Sequence, residues 1–281
     1  MSSFTRHVFF CLRSNVFSCL AVGGLIVLAA LTVAGPSLAP YDAFQCVDDA
    51  IMLPPSLAHL CGTDQVGRDV FSRILTACRL DMSIALSAVG LSLVAGTLIG
   101  AFAGYYGGLF DSLVSRLVDT IMAFPLFVLA MAIVASLGNS VANIVYATAI
   151  INLPFYIRVA RAEVSVRRNS QFVEAALISG NSGPRIIFRH LLPNIIPTIM
   201  VQASLNLGWA ILNAAGLSFI GLGVRPPDAE WGIMVAEGAQ YIVSGEWWIA
   251  LFPGIALMLT VLCFNFLGDA LRDIFDPRRR A

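Results

Sequence analysis

The stretch MSIALSAVGLSLVAGTLIGAFA, residues 82–103, carries no charged side chain. As a helix it is long enough to cross a hydrocarbon layer of ~30 Å, which takes about 20 apolar residues. The same template fits five further stretches, at 16–39, 116–137, 141–160, 195–216 and 248–268. Lipid offers no water to an open backbone, so each is expected to be helical. Composition agrees: 58% of the residues are hydrophobic and 12% charged, and the mean hydropathy is +0.83, outside the balance of soluble domains. The expected fold class is an all-α integral membrane protein with six transmembrane helices. Gly35-Pro36 lies within the first apolar stretch, without a small-residue cleavage pattern, so that stretch reads as a retained anchor and not as a secretory signal.

Charge narrows the function. The 17 Lys+Arg residues balance 17 Asp+Glu, and all 17 cations are arginine. A zero net charge points to neither nucleic acid nor a polybasic lipid-binding face. Without lysine the chain cannot build the G-x-x-x-x-G-K-[ST] phosphate loop or a Schiff base. If ATP drives this protein, a partner hydrolyses it. Six cysteines (11, 19, 46, 61, 78, 263) form no C-x-x-C pair, and His7, His59 and His190 lie far apart. No metal site, cofactor or catalytic residue is indicated. Cys46 and Cys61 bracket a segment long enough for a disulfide in an oxidising compartment, or for two free thiols.

With the N-terminus inside, 13 of the 17 arginines fall on or near the cytoplasmic face, leaving Arg68, Arg73, Arg79 and Arg225 outside. Both termini are then cytoplasmic. The chain divides into a cytoplasmic N-terminus 1–15, an N-terminal transmembrane helix 16–39, an external loop 40–81, a five-helix core 82–268 with an inner loop at 161–194, and a cytoplasmic tail 269–281.

The inner loop is the informative segment. Over 170–180, Ser170 is placed to cap a short helix, Glu174 suits its positive dipole end, and Gly180 suits a left-handed stop. A second helix opens at Gly183-Pro184, where proline loses nothing by lacking its N–H, and runs toward Leu192-Pro193. A helix, a glycine break and a helix are too short to fold as a domain and need something to dock against.

Glu174-Ala175-Ala176, Gly180 and Leu192-Pro193 strongly resemble the cytoplasmic EAA loop of permeases in binding-protein-dependent ATP-binding-cassette importers. His190 stands where isoleucine is usual, and His190-Leu191-Leu192-Pro193-Asn194 resembles the dipeptide, oligopeptide and nickel branch. The segments Gly62–Arg73, Leu217–Gly223 with Pro226-Pro227 and Glu230-Trp231-Gly232, and Asn265–Asp273 with Asp276-Pro277-Arg278 are similar to the second permease subunit of that branch. The resemblance implies a type I importer permease fold in a bacterial cytoplasmic (inner) membrane. It implies as partners a homologous permease subunit, two ATPase subunits and an extracytoplasmic solute-binding protein, within the lipid bilayer and with no nucleic acid. It also implies that Glu174, Ala175, Ala176, Gly180, His190, Leu192 and Pro193 belong to the ATPase-coupling loop. The solute would be a di- or oligopeptide, or alternatively nickel or a metal chelate.

Taken alone, Glu174 is an ordinary first-turn acid. Arg116 and Asp119, three apart, are expected to pair on one helix face as a structural anchor. Gln202, Asn206 and Asn213 share a stripe of the fifth span. They either hydrogen-bond neighbouring helices or line a translocation path with Ser204 or Trp209. Gly216–Gly221 is one residue off a G-x-S-x-G nucleophile elbow, but no strand precedes it, so a membrane hydrolase is disfavoured. An ATP-independent secondary carrier would show buried acid relays and no docking loop, which is the opposite of what is present.

Overall fold

The computed structural model describes residues 16–275. The expectations that fall on residues 1–15 and 276–281, including Arg6, Arg13, His7, Cys11 and Arg278–Arg280, lie outside the described residues. In chain order the helices are α1 (Val16–Leu38), α2 (Val70–Tyr106), α3 (Gly108–Ala123), α4 (Leu126–Leu137) and α5 (Val141–Arg167). There follow α6 (Gln171–Ile178), α7 (Gly183–Ile186), a π-turn (Ile187–Leu191), α8 (Leu192–Phe219), α9 (Trp231–Ala239) and α10 (Trp248–Phe275). Among the described residues there is no strand, only an isolated bridge between Thr63 and Asp69. Among the described residues five helical stretches are long and apolar enough to cross a membrane.

The third expected span, 116–137, is not one helix. It is the pair α3 and α4, bent by 90°. Pro125 supplies the reason: it has no N–H to continue the ladder, and it pushes Phe124 into the extended region, at φ −87° and ψ 145°. The second span also exceeds its expectation of 82–103, because Asp69 caps the helix by accepting from Ser72 N at 2.8 Å, and the polar first turns are folded into the protein.

Close backbone approach holds the centre. The most extensive helix contact is between α2 and α5. At Gly96, Gly100 and Gly104, four residues apart, a Cβ would come within 2.6, 2.4 and 2.6 Å of Tyr156 Cβ, Ile157 O and Arg161 O. Where lipid supplies no hydrophobic drive between helices, such small residues let dispersion contacts form along the backbone. α10 packs on α8, and α1 lies against α2 and α10. α3 is tied to α5 by ion pairs: Arg161 with Asp111, and Arg158 Nη2 with Asp119 Oδ1 at 2.7 Å. Asp119 therefore pairs with α5 and not with Arg116, because the neighbouring helix presents an arginine at better reach.

At the end of the bundle where α2 begins, the 40–69 segment and α9 form a polar cap. Asp64 accepts from Val66 N and Arg68 N, closing a turn whose Gly67 sits at φ +79°. Arg68 Nε lies 2.6 Å from Asp64 Oδ2. Arg73, 1% exposed, faces Asp64 and Glu237. Two of the four arginines assigned to the outer side are thus buried ion-pair partners. Cys46 and Cys61 are both free thiols.

Candidate functional site

At the opposite end of the bundle lies the loop between α5 and α8. Ser170 occupies the N-cap of α6 with extended backbone, but its hydroxyl donates to Arg167 O at 2.6 Å and no side chain caps the helix. The Ser170 carbonyl instead accepts from Val173 N and Glu174 N. At the other end, Gly180 N donates to Leu177 O and Asn181 N to Ala176 O, with Gly180 at φ +78°. This is a left-handed helix stop of the Schellman type, as the glycine requires. Val173 and Ala176 are buried, whereas Phe172, Leu177 and Ile178 are exposed, the last to 89%. Phe172 with Ala176, and Val173 with Leu177, stand four residues apart, and in each pair one member is buried and the other exposed. Glu174 and Ala175 lie on the outward side.

The second helix does not end at the loop. From Gly183 the chain is helical to Phe219, with one π-turn at Ile187–Leu191. Ile186, Ile187 and Leu191 are fully buried. His190 sits in the π-turn, its carbonyl accepting from Asn194 Nδ2 at 2.6 Å. Leu192 and Pro193 begin α8, where proline needs no donor. Gly183 meets Tyr106, for a Cβ there would lie 2.6 Å from Tyr106 Oη. α6 is thus joined through the short turn at Gly180–Ser182 to a membrane-length helix.

The polar stripe of α8 opens on a cavity of about 320 Å³ between α4, α5 and α8. Gln202, Asn206 and Asn213 line it, with Phe127, Phe155 and Trp209. Gln202 Nε2 donates to Asn206 Oδ1 at 3.0 Å, and Asn213 Nδ2 donates to Trp209 O at 2.9 Å. The interhelical partners that one reading of the stripe expected are missing for these two amides, whose hydrogen bonds stay on α8. Ser204 turns away: its hydroxyl donates to Val201 O, and a Cβ on Gly268 would approach it to 2.9 Å, so it belongs to the α8 and α10 contact. Asn152 on α5 also lines the cavity and escaped the sequence reading. Its signal was a carboxamide inside an apolar span, two residues before Pro154. Tyr156 Oη lies against Asn206, yet neither it nor Asn206 Nδ2 has hydrogen-bond geometry.

A second cavity, of about 560 Å³, adjoins the first toward the loop end and shares Gln202 and Leu205 with it. Arg167 and Arg272 line it, together with Asn194 and Thr198.

The polar cap also holds the Glu230-Trp231-Gly232 segment. Glu230 Oε1 and Oε2 accept from Gly232 N and Ile233 N at 2.9 and 2.8 Å, capping α9. Trp231 Nε1 donates to Ile74 O, and Trp231 N donates to Asp81 Oδ2. Gly232 is pressed on α8, where a Cβ would stand 2.4 Å from Ala215 Cα. Ser218, 1% exposed, accepts from Val224 N at the C-terminal end of α8. It buttresses that turn, with the Glu230 carboxylate that caps α9 as its acidic neighbour.

Residues 96–281 match the family model described as binding-protein-dependent transport system inner membrane component. The chain is 42% identical to the probable D,D-dipeptide transport system permease DdpC of Escherichia coli K12, covering 90% of this chain and 85% of that one. It is 42% identical to the dipeptide transport system permease DppC of Alkalihalophilus pseudofirmus, covering 98% and 90%. With the glutathione transport system permease GsiD of Pectobacterium atrosepticum the identity is 41%, covering 92% and 86%. A solved structure of the MetNI methionine ABC transporter in inward-facing conformations shares the fold, with TM-score 0.59 at 16% identity, over 73% of this chain and 97% of that one.

Proposed function

Because the chain belongs to the family of binding-protein-dependent transport system inner membrane components, we propose that it is the permease subunit of an ATP-driven importer for di- or oligopeptides. Its similarity to dipeptide and glutathione permeases favours peptides over the nickel or chelate alternative. Its partners are a homologous permease, two ATPase subunits that carry out the hydrolysis, and a solute-binding protein. It sits in the bacterial inner membrane with both termini cytoplasmic.

The observation that carries the mechanism is the loop between α5 and α8. α6 buries Val173 and Ala176 against its own chain and turns Phe172, Leu177 and Ile178 outward, a short amphipathic helix whose other face awaits a partner. Glu174 and Ala175 accompany that outward face, and an acid there can take an arginine in a charge-assisted pair. Gly180, α7 and the π-turn connect this helix to α8, whose Gln202, Asn206 and Asn213 line the cavity that this reading takes as the translocation path. Closure of the ATPases displaces α6, α8 follows, and the permease pair changes between two packings biased by ATP.

Reconstitution with the two ATPases, the partner permease and the binding protein tests this reading. Uptake of labelled di- and tripeptides should require ATP and all subunits. Uptake by the permeases alone, driven by an ion gradient, would establish the secondary carrier instead.

A further inference from the structure

The two adjoining cavities differ in chemistry. The cavity among α4, α5 and α8 is lined by four carboxamides, Asn152, Gln202, Asn206 and Asn213, with aromatic rings and no charged side chain. A carboxamide carries both a donor and an acceptor, which is the complement of a peptide group. A pocket of this kind can hold main chain of any sequence, but it offers nothing to a terminal charge, whose burial without a partner is costly. Its volume is at the small end for ligand pockets, enough for a short segment only.

The adjoining cavity toward the loop supplies the missing charge. Arg167 and Arg272 line it and no acid does. Arg167 is engaged by Glu163 through Nη1, whereas Arg272 has no ion-pair partner among the described residues. Gln202 and Leu205 border both spaces, so a ligand passing from one to the other remains in contact with α8.

We propose that the two cavities form one substrate groove, which holds a short peptide by its main chain against the carboxamides and points its terminal carboxylate toward Arg167 and Arg272. The peptide thus travels with its carboxylate end leading toward the α6 loop. The inference rests on the peptide-permease reading above and adds to it the recognised group and its direction. It places some selectivity for free carboxylates in the permease itself, separate from the binding protein.

The test uses the assembled importer in nanodiscs without binding protein, carrying Leu205→Cys. Maleimide modification of that cysteine is followed by mass spectrometry, which separates it from the native thiols. Trialanine should protect Leu205→Cys at concentrations about tenfold lower than trialanine amide, the weight of one charge-assisted hydrogen bond. Arg272→Gln should abolish the difference, or do so only with Arg167→Gln added, and Arg272→Lys should restore part of it. Asn206→Leu and Gln202→Met should raise the protecting concentration of both peptides by a common factor. ATP hydrolysis in each variant reports assembly. Equal protection by the two peptides in the parent, or a preference that survives loss of both arginines, overturns the proposal. So does absence of protection when the same importer, reconstituted in proteoliposomes with its binding protein, takes up trialanine with ATP. Failure of uptake in those proteoliposomes, with all subunits present and ATP hydrolysed, would instead overturn the peptide-permease reading beneath it.

Discussion

Arg73 Nη2 lies 3.5 Å from Glu237 Oε2, joining the first turn of α2 to α9 across a polar cap from which water is almost excluded. Arg68 Nη2 reaches the same carboxylate oxygen at 3.4 Å, so one acid faces two cations. Replacing Glu237 with alanine leaves both guanidinium groups with Asp64 alone. Breaking a buried ion pair by removing one partner costs about 3 kcal/mol or more. Glu237→Ala should therefore lower the unfolding midpoint of the detergent-solubilised protein by several degrees. A midpoint within error of the parent would show that Asp64 suffices.

The two thiols in the same cap are expected to differ in reactivity. Burial, reinforced by the charge of Asp69, pushes the Cys61 thiol up to about 11. Cys46 is exposed. Since the thiolate is the nucleophile, Cys61 should alkylate slowly at pH 8 and speed up as pH rises toward that value. In non-reduced protein both residues should carry alkyl groups, Cys46 first. A disulfide-linked peptide in the mass spectrum would contradict the free thiols.

At the loop, Gly180 carries a left-handed backbone with open space around its missing side chain. Gly180→Ala should therefore cost only the backbone penalty, about 1 kcal/mol or a little more. Gly180→Trp adds bulk on the outward face. Together with Glu174→Arg it should leave the permease in the membrane at normal abundance, while ATPase co-purification and uptake fall steeply. Normal transport by either of these two variants would remove α6 from the coupling mechanism.

The two ion pairs of α3 are not equivalent. Asp119 and Arg158 are 68% and 51% exposed, whereas Asp111 is 22% exposed and pairs with Arg161 through both carboxylate oxygens. Exposed pairs contribute about 0–1 kcal/mol. Asp119→Ala should leave the unfolding midpoint nearly unchanged, and Asp111→Ala should lower it more. The reverse order would mean that solvent screening does not rank these contacts.

Orientation can be read with single reporter cysteines. Leu57 and Val243 at the cap are 99% and 98% exposed, while Ala43 and Ala229 at the same end are buried, so reporters belong at the first two. Cysteines at Leu57 and Val243 should react with impermeant maleimide in intact cells, and one at Ala175 only after permeabilisation. External labelling at Ala175 would invert the topology.

Apolar length alone was enough to place five of the six expected spans, because the bilayer sets a minimum of about 20 residues that only a few stretches meet, but it did not show the break of the 116–137 span. Loop chemistry was legible for the same kind of local reason: the stop of α6 at Gly180 follows from a residue that tolerates positive φ. The carboxamides of α8 could be put on one stripe from periodicity, since 3.6 residues per turn is a property of the backbone and not of its neighbours.

What faced that stripe could not be known in advance. Asn152 joins Gln202, Asn206 and Asn213 only because Gly96, Gly100 and Gly104 let α2 and α5 approach backbone to backbone, which sets where α5 stands beside α8. The 90° break between α3 and α4 turns Asp119 to Arg158, although Arg116 is nearer in sequence. Arg68 and Arg73 read as outer-face charges until Glu237, on a short helix that no span template detects, came to lie over them. Each of these is a contact between elements distant along the chain. Local pattern was sufficient for the long apolar helices and for the residues that share a face of them, because those depend on backbone geometry and solvent. Which faces meet, and so which polar groups are neutralised and which line a cavity, was decided only by the tertiary packing, because burial, pairing and access are set by distances between helices that no local rule contains.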